Sequence, residues 1–205
     1  VLSITKVLDG DPVENGDGTL TVSYDVTVTN SGAGAPTYRL DDAFAFGTGV
    51  GIVPGSAAVR NTAPGTIATN GGWDGVTDLS VVADQPIAGS TRHRYQVTVV
   101  VTVDESTATG TSTDCTLDTG ETGTGLRNET TLTTEGEAQD ADACAPVPAV
   151  SITKDLVSSD LATDGSFTLV YDVTVANAGA GATTYDLEDT ARFGTGVSIP
   201  LLLYT

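Results

Sequence analysis

The chain repeats itself after about 147 residues, and this long period limits what it can fold into. The opening Ser-Ile-Thr-Lys returns at 151–154, and the segments 24–30 and 46–50 return almost unchanged at 171–177 and 193–197. Self-similarity at such a period is typical of an array of like domains. An array suggests a spacer or stalk more readily than an enzyme.

The period sets the expected domain boundaries. Residues 1–148 form one complete repeat, which is a normal size for a domain that buries a core. Residues 149–205 form the N-terminal part of a second, incomplete repeat. Between them lies Ala145-Pro146-Val147-Pro148, whose prolines favour an extended, semi-rigid spacer.

Apolar and polar residues alternate along several stretches, which predicts strands. The apolar members that share one parity are Leu20, Val22, Tyr24, Val26, Val28, and later Tyr95, Val97, Val99, Val101, Val103. Turn signals rich in Gly, Asn and Pro separate these stretches. Strands spaced by such turns over a whole repeat predict an all-β fold, an immunoglobulin-like β-sandwich.

The charge of the chain excludes two classes of partner. The 27 acidic residues against 8 Lys and Arg give a net charge of −19, which would repel nucleic acid and anionic membranes. The sequence contains no apolar run long enough to predict membrane insertion of this segment. The partners we expect are neighbouring repeats of the same protein.

Two cysteines, Cys115 and Cys144, enclose a segment rich in Asp, Thr and Gly. Because no histidine lies near them, a disulfide fits better than a metal site. A disulfide predicts export to an extracellular, cell-surface or cell-wall location. The alternative is two unpaired thiols.

Several motifs together resemble a known bacterial family. They are Ser-Ile-Thr-Lys at 3–6, Asn-Gly-Asp-Gly-Thr at 15–19, Tyr-Asp-Val-Thr-Val-Thr-Asn-Ser-Gly at 24–32, Leu-Asp-Asp at 40–42 and Gly-Leu-Arg-Asn-Glu-Thr at 125–130. The resemblance is to the "conserved repeat domain" family of actinobacterial and other prokaryotic surface proteins. It implies tandem immunoglobulin-like sandwiches on secreted or wall-anchored proteins, with no known ligand.

The layout is also similar, more distantly, to the A-type repeats of the staphylococcal collagen adhesin. Those repeats carry a self-formed Lys–Asn isopeptide bond with an acid between the partners. The resemblance implies Lys6 as the amine, Asp42 as the acid and Asn128 as the amide, with Lys154 and Asp189 in the second copy. The sequence after Asp42, Ala-Phe-Ala, departs from the commoner Thr-Leu-Pro.

Strand parity gives an independent reason to group these residues. Lys6 shares the parity of Ile4, Asp42 that of Leu40, and Asn128 that of its apolar neighbours on the same stretch, so all three face the core if the strands are regular. Burial disfavours the charged forms of an amine and a carboxyl group, and an amide bond would remove the cost. The alternative is a surface Lys, a turn-capping Asp and an ordinary strand Asn, since one register slip turns any of them outward.

One acidic loop is a candidate calcium site, with Asp9, Asp11, Glu14, Asn15 and Asp17 as possible oxygen ligands. The spacing does not match an EF-hand. A solvated hairpin turn at Asn-Gly and Asp-Gly is the alternative. No other cofactor is expected.

Hydrolase chemistry has no support in the sequence. The single histidine, His93, lies between Arg92 and Arg94 and is expected at the surface, with no nucleophile in a motif beside it. Trp73 is expected in the core or over a turn, with an exposed sugar platform as the alternative. We therefore expect no enzyme, beyond a single-turnover intramolecular bond formation.

These observations predict a structural stalk or spacer repeat of an exported, adhesin-like surface protein. It would be stapled by the disulfide and by the isopeptide bond. One alternative is a filament subunit that associates through residues 149–205, whose end at 199–204 is apolar. The other is a module that binds a carbohydrate, a matrix protein or calcium.

Overall fold

The computed structural model describes residues 1–63, 65, 67–108 and 110–199. Its strands are β1 (Leu2–Leu8), β2 (Val13–Glu14), β3 (Thr19–Asn30), β4 (Thr37–Phe44), β5 (Val50–Ile52), β6 (Ala58–Ala63), β7 (Ser80–Pro86), β8 (Thr91–Val103), β9 (Asn128–Thr134), β10 (Glu137–Ala143), β11 (Val150–Leu161) and β12 (Phe167–Asn177). Among the described residues the helical structure is one turn, α1 (Gly110–Thr113). Nothing in this part of the chain forms a helix with the length and apolarity that a membrane span requires.

Two antiparallel sheets enclose one core in the first repeat. The first sheet runs β1-β3-β8-β5, with β2 paired to β3 and β6 paired to β8. The second sheet runs β10-β9-β4-β7. The immunoglobulin-like β-sandwich that the alternation predicts is confirmed, because the strands are antiparallel and the buried side chains of both sheets form a single cluster.

The core follows the predicted parity. On β3 every second residue is buried from end to end, and the same holds along most of β8. β3 pairs along its whole length with residues 91–102 of β8, and the two strands lie in the middle of the first sheet. Burial of aliphatic side chains at such spacing stabilises a strand pair by removing apolar area from water.

The first strand lies beside the last hairpin. The Gln139 side chain on β10 donates to the Leu2 carbonyl on β1 at 3.1 Å, so one side of the sandwich closes between the two sheets. Closure here brings the start of the repeat next to β9 and β10. Residues far apart in sequence therefore meet in this corner.

The predicted disulfide between Cys115 and Cys144 is confirmed, with a Cα–Cα distance of 5.8 Å. It joins the segment after α1 to the end of β10. The predicted spacer, residues 145–148, contains no helix or turn, but it is not free of the first repeat. Ala145 and Val147 are buried, and the Val147 N–H donates to the Thr113 carbonyl at 2.8 Å, so the linker packs against the first repeat.

The second repeat contributes the hairpin β11–β12, which pairs as β1 does with β3. Lys154 lies opposite Val173, just as Lys6 lies opposite Val26. Many of its apolar side chains are exposed, among them Ile152, Leu156, Phe167 and Leu187. Self-association through residues 149–205 stays a prediction, and residues 200–205 lie outside the described part of the chain.

Candidate functional site

A lysine is fully buried near the closed corner of the sandwich. Lys6 lies on β1, whose side chains alternate between core and solvent, and no part of the Lys6 side chain is exposed. Its ammonium nitrogen stands 5.3 Å from the centre of the Tyr24 ring. The Tyr24 hydroxyl in turn donates to the Leu126 carbonyl at 2.6 Å, which fixes the ring beneath the amine.

Asp42 faces Lys6 from the other sheet. It lies on β4, is 1% exposed, and its Oδ2 accepts a hydrogen bond from Lys6 Nζ. The indole N–H of Trp73 donates to the Asp42 carbonyl at 3.0 Å, and the ring packs beside Phe44. Trp73 is therefore a buried residue that fixes the β4 backbone at the acid and helps to exclude water.

The third predicted residue lies on the strand beside Asp42. Asn128 begins β9 and is fully buried. Its Nδ2 donates to Asp42 Oδ1 at 2.8 Å and to the Ala43 carbonyl at 2.7 Å. Its Oδ1 is buried and has no hydrogen-bond partner in the described part of the chain. An orphaned buried carbonyl oxygen is costly and unusual.

Thr130 also belongs to this site, although it was not among the predicted site residues. It lies directly opposite Asp42 in the β4–β9 register and is fully buried. Lys6 Nζ donates to its Oγ1 at 2.6 Å, and Thr130 Oγ1 donates to Asp42 Oδ2. Thr130 lies two residues after Asn128 on the same strand, so strand alternation alone predicts that both side chains face the core.

The site therefore has one carboxyl group between an amine and an amide. One oxygen of Asp42 contacts Lys6 and Thr130, and the other contacts the amide nitrogen of Asn128. Burial lowers the pKa of Lys6 from its usual 10.5, while the neighbouring Asp42 opposes this shift. Desolvation thus favours an uncharged amine, which is a nucleophile.

The second copy repeats half of the arrangement. Lys154 Nζ donates to Asp189 Oδ1 at 2.6 Å and lies 4.9 Å from the Tyr171 ring centre. Here both side chains are partly exposed, at 40% and 36%. Both copies therefore pair this lysine with this aspartate, although the pair is buried in the first copy and partly exposed in the second.

His93 is not at the surface, which corrects the expectation from its two arginine neighbours. It is 7% exposed, and its Nδ1 lies 2.8 Å from the Tyr38 hydroxyl. That hydroxyl lies 2.5 Å from the hydroxyl of Tyr95. Burial lowers the pKa of His93 below its usual 6.5. His93 and Tyr95 lie on the same face of β8, which is the buried face, so strand alternation places His93 in the core although charged arginines flank it.

The candidate calcium loop folds as a tight hairpin turn. Asp17 Oδ1 accepts from the N–H and the hydroxyl of Thr19, and these bonds lower the pKa of Asp17. Asn15 also bonds to Thr19, while Glu14 accepts from Thr183 at 2.8 Å. Within the described residues no three His, Cys, Asp or Glu side chains converge as a metal site. Calcium binding through Asp9, Asp11 and the others stays a prediction.

Comparison with known proteins gives only distant structural similarities. No family model matches the chain, and no curated protein matches it. The group B streptococcus pilus 2b backbone protein is 13% identical, over 84% of this chain and 79% of that one, with a TM-score of 0.37. The pilus backbone protein RrgB from Streptococcus pneumoniae is 14% identical, over 86% of this chain and 47% of that one, with a TM-score of 0.34.

A GH20 exo-β-N-acetylglucosaminidase from Vibrio harveyi is also similar in structure. It is 14% identical over 78% of this chain and 21% of that one, with a TM-score of 0.28. At these TM-scores none of the similarities carries weight for function. The functional conclusion rests on the geometry of the buried cluster.

Proposed function

We propose that this chain is a structural stalk repeat of an exported, adhesin-like surface protein, and that each complete repeat cross-links itself. The cross-link is an amide bond between Lys6 Nζ and Asn128 Cγ. The observation that carries the proposal is a buried amine and a buried carboxamide, each hydrogen-bonded to a different oxygen of the same buried carboxyl group of Asp42.

The chemistry balances within these three side chains. The uncharged Lys6 amine attacks Cγ of Asn128, and the electrons of the carbonyl bond move to Oδ1. Asp42 takes a proton from Nζ through Oδ2 and gives a proton to Nδ2 through Oδ1. The carbonyl bond re-forms, the Cγ–Nδ2 bond breaks, and ammonia leaves. Fixed proximity replaces an external catalyst.

The bond also resolves an energetic conflict in the core. A buried ammonium and a buried carboxylate are both costly even when paired. The product amide carries no charge on the former lysine. A cross-link that closes the chain between residues 6 and 128 also restricts the unfolded state, which in the chain-entropy description contributes about 5 kcal/mol.

The location of the bond suits a protein under tension. Lys6 lies on the first sheet, whereas Asn128 lies on the second, so the bond would join the two sheets of the sandwich. The disulfide supports an extracellular setting, because such bonds persist where the environment is oxidising. Attachment to a cell wall and the adhesive role of the parent protein are parts of the proposal.

Intact-mass measurement of the reduced full chain tests the cross-link. We expect a mass lower than the sequence mass by one ammonia, and a branched peptide that joins the Lys6 and Asn128 segments in a digest. Asp42→Ala should restore the full sequence mass. Lys154→Arg is the matched control, since it alters the second lysine of the same type and should keep the deficit. A wild-type chain of unaltered sequence mass would refute the cross-link.

A further inference from the structure

The two repeats meet at a built contact that involves a turn of the second copy. The turn follows β12 and contains Ala180 and Gly181. The Gly181 N–H donates to the Val147 carbonyl at 2.9 Å, and the Ala180 N–H donates to Thr113 Oγ1 at 3.0 Å. Thr113 and Val147 are fully buried. The end of the first repeat thus binds two backbone donors of the next.

The first copy contains the same turn in the same conformation. Asn30 Nδ2 donates to the Gly34 carbonyl at 2.7 Å, and Asn177 Nδ2 donates to the Gly181 carbonyl at 2.8 Å. The N–H two residues after each asparagine donates to its Oδ1, at 3.0 Å and 3.1 Å. Each turn also bonds to the start of its own repeat, through the carbonyls of Val1 and Ala149.

The two turns differ in the acceptors of two backbone N–H groups. The counterparts of Ala180 and Gly181 are Ala33 and Gly34. Their N–H groups have no acceptor in the described part of the chain. Beside them lies a hollow of about 490 Å³, lined by residues that include Val1, Asn30, Gly34 and Pro36. Gly34 lines the hollow and Ala33 directly precedes it in the same turn, so within the described residues the first copy has the two donors of the contact without its two acceptors.

The glycine at position 34 gives a second, independent observation. Its φ angle lies outside the left-handed region, and a Cβ there would meet nothing within 4 Å. Within the first repeat, neither the backbone angle nor the surrounding space therefore requires glycine at position 34. Its counterpart Gly181 has one, since a Cβ there would lie 2.6 Å from the nitrogen of Pro148 and 2.7 Å from the carbonyl carbon of Val147. A glycine at this place makes room for a preceding linker.

We propose that the hollow at Val1, Asn30 and Gly34 is the docking site for the C-terminal end of a preceding repeat of the same kind. The occupant presents a threonine hydroxyl to the N–H of Ala33 and a linker carbonyl to the N–H of Gly34, as Thr113 and Val147 do for the second copy. This inference rests on the proposed role as a tandem repeat. It adds that successive repeats are held in one orientation by a repeated contact.

One feature of the observed contact has no counterpart at the hollow. Thr183 donates to Glu14 of the preceding repeat, whereas its counterpart in the first copy is Pro36, which has no hydroxyl. The docking therefore depends on the two backbone donors and on the space above the glycine. Exposed polar contacts at the rim of such an interface contribute little.

Hydrogen exchange at the two donors tests the proposal directly. The full chain is compared with a fusion in which a further copy of residues 1–148 precedes Val1, with isotope labels confined to the full chain. We expect the amides of Ala33 and Gly34 to exchange on the order of tenfold more slowly in the fusion. Thr113→Val in the added copy should return Ala33 to fast exchange and leave Gly34 protected.

Two glycine variants complete the test. Gly34→Val should remove the protection of both amides in the fusion without changing the melting temperature of the unfused chain. Gly181→Val should raise exchange at Ala180 in either protein. Equal exchange of Ala33 and Gly34 with and without the added repeat would overturn the inference, and so would protection that persists in Gly34→Val. Neither result bears on the ammonia deficit, so failure of the docking and failure of the cross-link are distinguishable.

Discussion

The hydroxyl of Thr130 decides how the amine and the acid of the candidate site are held. It receives a hydrogen bond from Lys6 and gives one to Asp42, so it keeps both groups in place on the face where Asn128 lies. It touches both reacting partners of the proposed proton transfer and does not itself change. We therefore regard Thr130 as a positioning residue for the cross-link.

Replacing Thr130 tests this role. Thr130→Val removes the hydroxyl and should slow cross-link formation on the order of tenfold, since small displacements of reacting groups cost large factors in rate. The measurement is the cross-linked fraction against time after synthesis, read as the ammonia deficit in the intact mass. Thr130→Ser retains a hydroxyl and should restore most of the rate. Complete cross-linking of Thr130→Val at the earliest time point would contradict the prediction.

A second buried polar group, His93, makes stability depend on pH. Because burial lowers the pKa of His93 below its usual 6.5, the unfolded chain binds a proton below pH 6.5 that the folded chain does not. Stability should therefore fall as the pH falls through 6.5, until the lower folded-state pKa is reached. Nδ1 lies 2.8 Å from the Tyr38 hydroxyl, and a protonated ring could only donate to that hydroxyl.

Denaturant unfolding from about pH 8 to about pH 5 measures this dependence. His93→Gln keeps a hydrogen-bonding side chain that does not titrate, so its stability should change less over the interval. The carboxylates titrate equally in both proteins, and the difference between the two curves isolates the histidine. Parallel curves for His93→Gln and the wild type would show that His93 is not held neutral by the fold.

At the scale of single elements, the segment between α1 and β9 depends on one glycine. Gly125 has a φ angle of 47°, and a Cβ there would lie 2.3 Å from the Asp114 carbonyl oxygen and 3.0 Å from Cys144 Sγ. The disulfide and this close approach fix the segment against the end of β10. The neighbouring bond from the Leu126 N–H to the Ala145 carbonyl extends the same packing to the linker.

Gly125→Ala should therefore destabilise the repeat more than the same change at Gly136. Gly136 also has a left-handed φ angle, 85°, but open space around it, so it measures backbone strain alone, about 1 kcal/mol. Gly125→Ala adds steric overlap and should cost about 2–4 kcal/mol in the free energy of unfolding. Equal losses at the two positions, measured by denaturant titration, would argue against the tight packing.

The elements themselves were the most predictable part of the fold. Alternation identifies β3 and β8 because β3 buries one face from end to end and β8 does so along most of its length, and parity places Lys6, Asp42 and Asn128 inward. Parity also predicted inward positions for Thr130 and His93. Threonine is common on either face of a strand, however, and the arginines beside His93 suggested that it is exposed to solvent. The packing of the linker was not predictable, since its hydrogen bonds go to α1 and to the next copy, far away in sequence.

For the whole molecule, the disulfide and the proposed amide would together determine which segments tension can unfold. Force that enters at Val1 passes from Lys6 to Asn128 through the proposed amide, and then to Cys144 by the short way through Cys115 and the disulfide. Strands β3 to β8 lie outside this path. The core of the sandwich would then carry no load while both links are intact.

Single-molecule stretching of the first repeat within the full chain measures the path. With both links, about 25 residues lie between Val1 and Pro148 along the shortest covalent route, which limits the extended length to roughly 90 Å. Lys6→Arg keeps a cation and the disulfide but cannot form the amide, so about 120 residues extend, on the order of 400 Å. In this variant the force acts on the non-covalent contacts of β3 to β8, because no amide bypasses them. It should therefore also unfold at lower force than the wild type. A wild-type extension as long as that of Lys6→Arg would mean that tension passes through β3 to β8 and that no amide bond shortens the path.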